Sequence, residues 1–262
     1  MIDEIIKKSH KIVIKIGSST LTNEDGFIDK DFIENLALQI KTLRDMGKQV
    51  VIVSSGARIA GVSTIGKWSR KEDIHYKQAL CAIGQVELMD SYRRIFGNHN
   101  MHVAQILLTK EDLVSDNRTL NIRNTLFTLI DEGVVPIINE NDTVCVEEIK
   151  IGDNDVLAAH STVVWGGDLL ILFSDIDGIY DKNPNENKDA KLIEKIDNIE
   201  ELENSISMDS KSSFGTGGIP TKIKAAKIVS KYGTPMIVTR GKKENIITEL
   251  AEGKVKATLF LA

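Results

Sequence analysis

Short runs of branched apolar residues, each followed by an amphipathic stretch, constrain the fold of this 262-residue chain more than any other feature. Seven such runs predict strands, at residues 12–16, 50–53, 103–108, 134–138, 169–173, 236–239 and 259–261. Strands that are apolar along their whole length are buried on both faces, as in parallel sheets covered by helices. The pattern therefore predicts an α/β fold, in which a mostly parallel central sheet is covered by helices on both faces.

The amphipathic stretches between these runs predict the helices. Apolar residues recur every three or four positions at residues 31–43, 120–130, 155–162 and 219–232. The first of these helices is expected to begin near Asp31 and to end at Gly47. Pro136 argues against a central position for the strand at 134–138, because proline has no backbone N–H to donate. Residues 143–150 are expected to form an exposed hairpin or strand.

The sequence contains no internal repeat, and we expect residues 1–262 to form a single domain. A polar segment at 181–189 contains one proline and three asparagines, and this composition is typical of a loop. It marks a soft boundary between an N-terminal lobe, residues 1–173, and a C-terminal lobe, residues 174–262.

Composition excludes several classes of protein. The net charge of −5 argues against a nucleic-acid partner, because such binding depends on neutralising phosphates. The sequence has no apolar run of the length of a signal peptide or a membrane span, so a soluble cytoplasmic protein is expected. Two cysteines are too few for a disulfide scaffold, and Cys81 and Cys145 are both predicted to be buried as small apolar side chains.

Lys15 is the single residue that most strongly indicates a functional site. It interrupts an apolar strand, where an ammonium group is costly to bury unless it is paired. The alternative is a lysine at a strand end whose ammonium reaches water. Gly17, Ser18 and Ser19 follow directly, and such small residues let backbone N–H groups approach phosphate oxygens. Ligands gather at the carboxyl ends of parallel strands, so this turn favours a phosphate site.

A glycine cluster at 215–218 leads into the predicted helix near Pro220, a residue suited to the first helical turn. The N-terminus of a helix attracts anions, and Lys222 in its first turn opposes the helix dipole unless an anion is bound. A mobile surface loop is the alternative. Nucleotide binding is favoured because the helix and lysine follow directly. The P-loop pattern is absent and the dinucleotide glycine pattern is incomplete, which argues against a nicotinamide or flavin enzyme.

Two clusters of amide and carboxylate side chains follow probable strands, at residues 139–142 and 152–155. Asparagine can donate to a carboxylate and accept from an ammonium group, so the pair suits an amino acid ligand. Each cluster alone is also what an ordinary turn requires.

Six motifs together resemble the amino acid kinase family, at residues 13–19, 53–57, 138–142, 150–155, 174–180 and 215–222. The resemblance extends from Lys11 to Phe260, and it implies a three-layer αβα sandwich with a sheet of about eight strands. The motifs at 138–142 and 150–155 resemble the glutamate branch. They imply transfer of a phosphoryl group from ATP to the side-chain carboxylate of L-glutamate, the first step of proline biosynthesis.

Other readings stay open. The same fold could phosphorylate aspartate, acetylglutamate, carbamate or a nucleoside monophosphate. A non-catalytic nucleotide or amino-acid sensor is an alternative of a different class, against which the presence of both Lys15 and Lys222 argues.

The resemblance also implies roles for particular residues. Lys15, Lys222 and Asp155 would be catalytic, with Asp155 ordering the two lysines. Glutamate would bind Ser55, Asp142 and Asn154 in the N-terminal lobe. ATP would bind Lys15 and residues of the C-terminal lobe: Ser174, Asp175, Thr216, Gly217, Gly218, Ile219, Pro220, Thr221 and Lys222. Mg²⁺ would be held through the phosphates of ATP, with no protein ligand assigned.

The resemblance has consequences for regulation as well. It implies proline as a feedback inhibitor, and a homo-oligomer is expected. Many relatives carry a C-terminal PUA domain of roughly a hundred residues, which is not found before Ala262. Catalysis is not expected to depend on that domain.

Overall fold

The computed structural model of the chain describes residues 1–67, 69–70, 72–145, 154–184, 186–208 and 218–262, without the side chains of 205–208. Within these residues the helices are α1 (Ile2–Lys8), α2 (Ser18–Leu21), α3 (Lys30–Asp45), α4 (Ala57–Ile65), α5 (Ile74–Asn98), α6 (Lys110–Val114), α7 (Asp116–Asp131), α8 (Asp155–Trp165), α9 (Ile199–Met208), α10 (Ile219–Ser230) and α11 (Ile246–Ala251). The strands are β1 (Lys11–Ile16), β2 (Gln49–Val53), β3 (Val103–Leu108), β4 (Val135–Glu140), β5 (Leu169–Ser174), β6 (Lys195–Ile196), β7 (Met236–Arg240) and β8 (Ala257–Phe260).

The eight strands form one sheet in the order β3-β4-β2-β1-β5-β7-β8-β6. Neighbouring strands are parallel except for β7 and β8, which are antiparallel. The predicted α/β fold with a mostly parallel sheet is therefore confirmed. β1 lies near the middle, between β2 and β5, so its carboxyl end lies at the centre of the edge where ligands bind in such sheets.

Alternation along β1 divides its side chains between the two helical layers. Ile12 and Ile14 belong to the core cluster formed with α1, α3, α5 and α11, whereas Val13 belongs to the cluster formed with α7, α8 and α10. Lys15 is two residues beyond Val13, so its side chain lies on the same face as α8 and α10. Strand periodicity thus aims the lysine at the helices that carry its partners.

Pro136 occupies an internal strand, contrary to the sequence-based expectation. β4 lies between β3 and β2. Val135 donates its backbone N–H to the carbonyl of His102, towards β3. By alternation the nitrogen of Pro136 faces β2, where paired residues begin only at Ile52 and Ile137. The missing N–H therefore leaves no ladder position unfilled, which is why the proline is tolerated there.

The helices predicted from periodicity are present with small shifts of their ends. α3 begins one residue earlier than expected, because the side chain of Asp29, and not that of Asp31, caps it by accepting from the backbone N–H of Phe32 at 2.9 Å. Most of the hairpin expected at 143–150 lies outside the described residues. Among the described helices none is long and apolar enough to cross a membrane. The division into lobes at residue 173 stays a prediction.

Helices α4 and α5 were not predicted, and they pack against each other backbone to backbone. A Cβ atom added to Gly61 would lie 1.9 Å from the carbonyl oxygen of Leu80. One added to Gly84 would lie 1.8 Å from the carbonyl oxygen of Ala57. Only glycine permits so close an approach. The contact holds the first turn of α4, which follows β2 directly, against the middle of α5.

Candidate active site

The loops with the predicted site residues follow β4, β2, β1 and β5. Because these strands are adjacent and parallel, the loops meet at one edge of the sheet. Four of the helices that begin at this edge, after Gly17, Gly56, Asn154 and Gly218, have no side-chain hydrogen bond capping their start within the described residues. The N-terminus of a helix carries partial positive charge and free N–H donors. The edge is therefore suited to binding anions.

Lys15, Lys222 and Asp155 lie together in the interior. The Lys15 Nζ is 2.7 Å from Oδ1 of Asp155, and the Lys222 Nζ is 3.1 Å from Oδ2 of the same carboxylate. Both lysines are 4% exposed and Asp155 is fully buried. One carboxylate thus holds two ammonium groups that come from sequence positions more than two hundred residues apart. The structure brings the three predicted catalytic residues together.

Local structure explains how α10 delivers its lysine. Gly218 adopts a left-handed conformation, with φ of 60°, directly before the helix, and Pro220 lies in the first turn. This entry places Thr221 and Lys222 towards α8. The Thr221 hydroxyl lies 3.1 Å from Oδ2 of Asp155 and 2.6 Å from the carbonyl oxygen of Gly218. The start of α10 is therefore tied to the same carboxylate as its lysine.

Asn154 precedes Asp155 but faces a different space. Its Nδ2 donates to the carbonyl oxygen of Ser54 at 2.6 Å and to Oδ1 of Asn139 at 2.9 Å. These two acceptors fix the orientation of the amide. Its Oδ1 is buried and has no hydrogen-bond partner among the described residues. A buried acceptor without a partner is costly, so this oxygen is suited to accept from a bound ligand.

A pocket opens beside Asn154, between the ends of β2 and β4 and the first turn of α4. The residues that line it, here called the acid pocket, are Ser18, Ser55, Gly56, Ala57, Arg58, Ile59, Cys81, Asn139, Asp142 and Asn154. The three residues predicted to bind the acid, Ser55, Asp142 and Asn154, all line it. The Ser55 hydroxyl oxygen is also buried without a hydrogen-bond partner within the described part of the chain. The pocket thus presents polar atoms that a ligand can satisfy.

Asp142 and Arg58 are the charged residues that line the pocket, and the neutral thiol of Cys81 contacts Asp142. Burial raises the pKa of the Asp142 carboxyl above its ordinary value, although a hydrogen bond from the Cys81 thiol and the positive charge of Arg58 act in the opposite direction. Burial, together with the Asp142 charge, raises the pKa of the Cys81 thiol, which therefore stays protonated and donates. The carboxylate of Asp142 and the guanidinium of Arg58 match the ammonium and carboxylate groups of a free amino acid.

The sequence-based interpretation of the cysteines was partly wrong. Cys81 is buried as expected, but it lines the pocket and contacts Asp142 instead of serving as an apolar filler. Cys145 is only half-buried. The sequence around Cys81 could not place it beside Asp142, 61 positions later, because only the packing of α5 over the loop after β4 brings them together. Gln78, on the same helix, donates from Nε2 to the carbonyl oxygen of Asp142 at 3.2 Å.

Apart from Lys15, which belongs to β1, the described residues predicted to bind the nucleotide lie on the other side of that strand. Ser174 ends β5 and its hydroxyl donates to Oδ1 of the exposed Asp175 at 3.1 Å. Gly218, Ile219, Pro220 and Thr221 form the start of α10. Thr216 and Gly217 lie outside the described residues, as do Gly152 and Asp153 of the 152–155 cluster. Sequence reasoning missed Arg58 and Gln85, although Arg58 directly follows the Ser-Ser-Gly-Ala motif.

Known proteins are similar in sequence to this chain over nearly its whole length. Residues 10–240 match the amino acid kinase family. The chain belongs to the amino acid kinase family. A relative named glutamate 5-kinase from Alkaliphilus metalliredigens is 66% identical over 100% of this chain and 99% of its own length. A relative of the same name from Alkaliphilus oremlandii is 60% identical over 99% of each chain. These amino acid kinases are thus about as long as this chain.

Solved structures of amino acid kinase fold extend the comparison. The UMP kinase from Ureaplasma parvum superimposes with a TM-score of 0.65, covering 97% of this chain and 100% of that one. Its sequence is 19% identical, so this likeness concerns the fold alone. The resemblance to the amino acid kinase family, predicted from six motifs, is confirmed by the family match and by the full-length relatives.

Proposed function

We propose that this chain transfers the γ-phosphoryl group of ATP to the side-chain carboxylate of L-glutamate, giving L-glutamyl 5-phosphate and ADP, the first step of proline biosynthesis. The full-length relatives carry the name of that activity. The observation that carries the proposal is the meeting of Lys15 and Lys222 on Asp155, next to Asn154 in a polar pocket. A phosphoryl donor would therefore bind beside Asp155 and its lysines, and an amino acid would bind beside the preceding residue, Asn154.

The pocket supplies the groups that hold the acceptor. The Asn154 Oδ1 and the Asp142 carboxylate accept hydrogen bonds from the ammonium group of glutamate. The Ser55 hydroxyl and the Arg58 guanidinium donate to its carboxylates. This set of donors and acceptors favours a free amino acid over an acid whose amino group is acylated.

Lys15 and Lys222 provide the positive charge that two approaching anions require. The side-chain carboxylate of glutamate has an ordinary pKa of about 4.3, so it is ionised at neutral pH and needs no general base. The chain's contribution is to position the reactants and to stabilise charge on the transferred phosphoryl group. Asp155 holds both ammonium groups in place, and backbone N–H groups near Gly17 and Gly56 contact phosphoryl oxygens.

The described part of the proposed nucleotide site is suited to a phosphate tail. The start of α10 presents N–H donors with no side-chain cap, beside the buried ammonium of Lys222. Ser174, Asp175 and residues 216–222 are the proposed contacts of the nucleotide. Bound ATP would supply the phosphoryl group, and Mg²⁺ bound with it would neutralise charge on the phosphates. The chain's own lysines and helix N-terminus orient that phosphate tail towards the acid pocket.

Trapping of the product with hydroxylamine tests the proposed reaction. An acyl phosphate reacts with hydroxylamine to give a coloured hydroxamate, so the assay reports phosphorylation of a carboxylate directly. We expect hydroxamate and ADP in equal amounts with glutamate and Mg-ATP, and far less with aspartate or acetylglutamate. ADP release with UMP or carbamate and none with glutamate would instead support another acceptor on the same fold, as in the UMP kinase that shares it.

Replacing Asn154 by alanine is expected to raise the KM for glutamate by roughly ten- to a hundredfold, because a hydrogen bond to a charged group contributes about 1.5–3 kcal/mol. The KM for ATP should change little, since the nucleotide residues lie on the other side of β1. Steady-state kinetics with each substrate varied in turn measures both constants. Asn35→Ala, on α3 and outside the lining of the pocket, is the matched control. An increase in the KM for ATP alone would show that the acid has been assigned to the wrong side.

Inhibition by proline and assembly into a homo-oligomer are further parts of the proposal, and they rest on the family resemblance. Proline carries the same ammonium and carboxylate groups that the pocket is proposed to bind. ADP release at sub-saturating glutamate in the presence of millimolar proline tests the first. Light scattering of the purified chain tests the second.

A further inference from the structure

A line of amide side chains connects the acid pocket to the edge of the sheet. Asn154 donates from Nδ2 to Oδ1 of Asn139 at 2.9 Å, and Asn139 donates from Nδ2 to Oε1 of Gln85 at 2.8 Å. Gln85 in turn donates from Nε2 to Oε1 of Gln105, on the edge strand β3, at 3.3 Å. Each amide therefore donates outwards, away from the pocket, and the direction of every bond is the same.

This direction decides what Asn154 offers to a ligand. The Asn139 amide can present either its oxygen or its NH₂ group to Asn154. Because its NH₂ group is held by Oε1 of Gln85, its oxygen faces Asn154 and also accepts from the backbone N–H of Glu140 at 2.9 Å. The Asn154 NH₂ group must then point to Asn139, and its Oδ1 is left to accept from the pocket.

A reversed Asn139 amide would present an NH₂ group to the NH₂ group of Asn154. Two donors cannot satisfy each other, so Asn154 would also be driven to reverse and would present its NH₂ group to the substrate. An ammonium group is a donor and would then meet another donor. Selection for an ammonium group at this position thus depends on the acceptor at Gln85.

The packing of α5 fixes Gln85 in this place. Its neighbour Gly84 lies so close to α4 that a Cβ atom there would be 1.8 Å from the carbonyl oxygen of Ala57. Ala57 itself lines the pocket. The backbone of α5 at Gln85 is therefore held against the first turn of α4, which fixes the position from which the glutamine side chain reaches Asn139.

We infer that Gln85 is a positioning residue for recognition of the substrate's ammonium group, acting through Asn139 on Asn154. This inference rests on the proposed function, because it concerns how the acid acceptor is bound. Gln85 does not line the pocket, and its effect is on the orientation of a residue that does. The backbone groups of Ser54 and Glu140 favour the same orientation, so removing Gln85 weakens the preference without abolishing it.

The test compares two replacements of Gln85 in the full chain. Gln85→Met keeps the length of the side chain and removes the acceptor, whereas Gln85→Glu keeps an acceptor for Asn139. We expect the methionine variant to raise the KM for glutamate by roughly three- to tenfold, the effect of one hydrogen bond, with kcat and the KM for ATP within about twofold of the wild type. In the Gln85→Glu variant, the KM for the substrate glutamate should stay within about threefold of the wild-type value.

Gln39→Met is the matched control, since Gln39 is a buried, hydrogen-bonded glutamine on α3, outside the acid pocket. It is expected to leave the KM for glutamate unchanged even if it lowers the melting temperature. Gln85→Ala removes the same acceptor with less demand on packing, and it replaces the methionine variant if that variant fails to fold.

Three results would overturn the inference. The KM for glutamate could stay unchanged in Gln85→Met, it could rise equally in Gln85→Met and Gln85→Glu, or it could rise equally in the Gln39→Met control. Failure of the proposed function is seen separately, in the wild type. If the wild type phosphorylates another amino acid in place of glutamate, the same comparison is made with that amino acid, and the three results keep their meaning.

Discussion

Replacing Lys15 by methionine is expected to lower kcat by roughly 10²- to 10³-fold, the usual cost of removing one group that stabilises charge in a transition state. The ammonium of Lys15 is buried and held 2.7 Å from Asp155, so water cannot take its place at the phosphoryl group. The fold should survive, because Lys222 still pairs with Asp155 and no buried carboxylate is left without a cation.

Lys11→Met is the matched control for this variant. Lys11 begins the same strand, and its ammonium lies 4.6 Å from the ring of Phe127, at the end of β1 opposite to the site. Its replacement should leave kcat within about twofold of the wild type, because no proposed substrate contact lies near it. A folded Lys15→Met enzyme with most of its kcat would remove this lysine from the mechanism. The thermal unfolding of both variants shows whether the comparison is between folded proteins.

Gly84→Ala is expected to lower the free energy of unfolding by about 3 kcal/mol or more, at the upper end of what overpacking of an interior costs. Its new methyl group would lie 1.8 Å from the carbonyl oxygen of Ala57 and 2.2 Å from the backbone nitrogen of Gly61. Backbone atoms cannot rotate away as a flexible side chain can, so the two helices must separate. The separation would also move the first turn of α4, which lines the acid pocket.

Gly97→Ala, on the same helix, separates this effect from the ordinary consequence of placing alanine in a helix. A Cβ atom on Gly97 meets nothing within 4 Å. Its unfolding free energy should stay the same or rise by up to about 1 kcal/mol, because alanine favours the helix. Denaturant unfolding of both variants measures the difference. Equal stability of the two would contradict the close helix contact.

The sheet and its central site could be predicted because their signals are local. An apolar run identifies a strand, and a lysine within such a run is conspicuous, as Lys15 is in β1. Helices α4 and α5 were missed because their apolar residues are interrupted by Gly61 and Gly84, which weaken the helical pattern. These glycines are required by a contact between helices, which periodicity along one helix cannot reveal.

The acid pocket was only partly predictable for the same reason. Ser55, Asp142 and Asn154 belong to motifs that follow strands, and all three line the pocket. Cys81 and Gln85 have no motif, and they reach the pocket or its supporting amides only through the tertiary contact of α5. Long-range placement of this kind depends on the packing of the whole sheet and its two helical layers, which no short window of sequence contains.

Lys15 and Lys222, held on one carboxylate, are proposed to serve a phosphoryl transfer to the neighbouring amino acid. Initial rates of ADP release from Mg-ATP, with saturating glutamate and then with aspartate, test it most directly. We expect rapid release that requires glutamate and is lost in the Lys15→Met and Lys222→Met variants alike. Release that is independent of glutamate, or that persists in both variants, would contradict it.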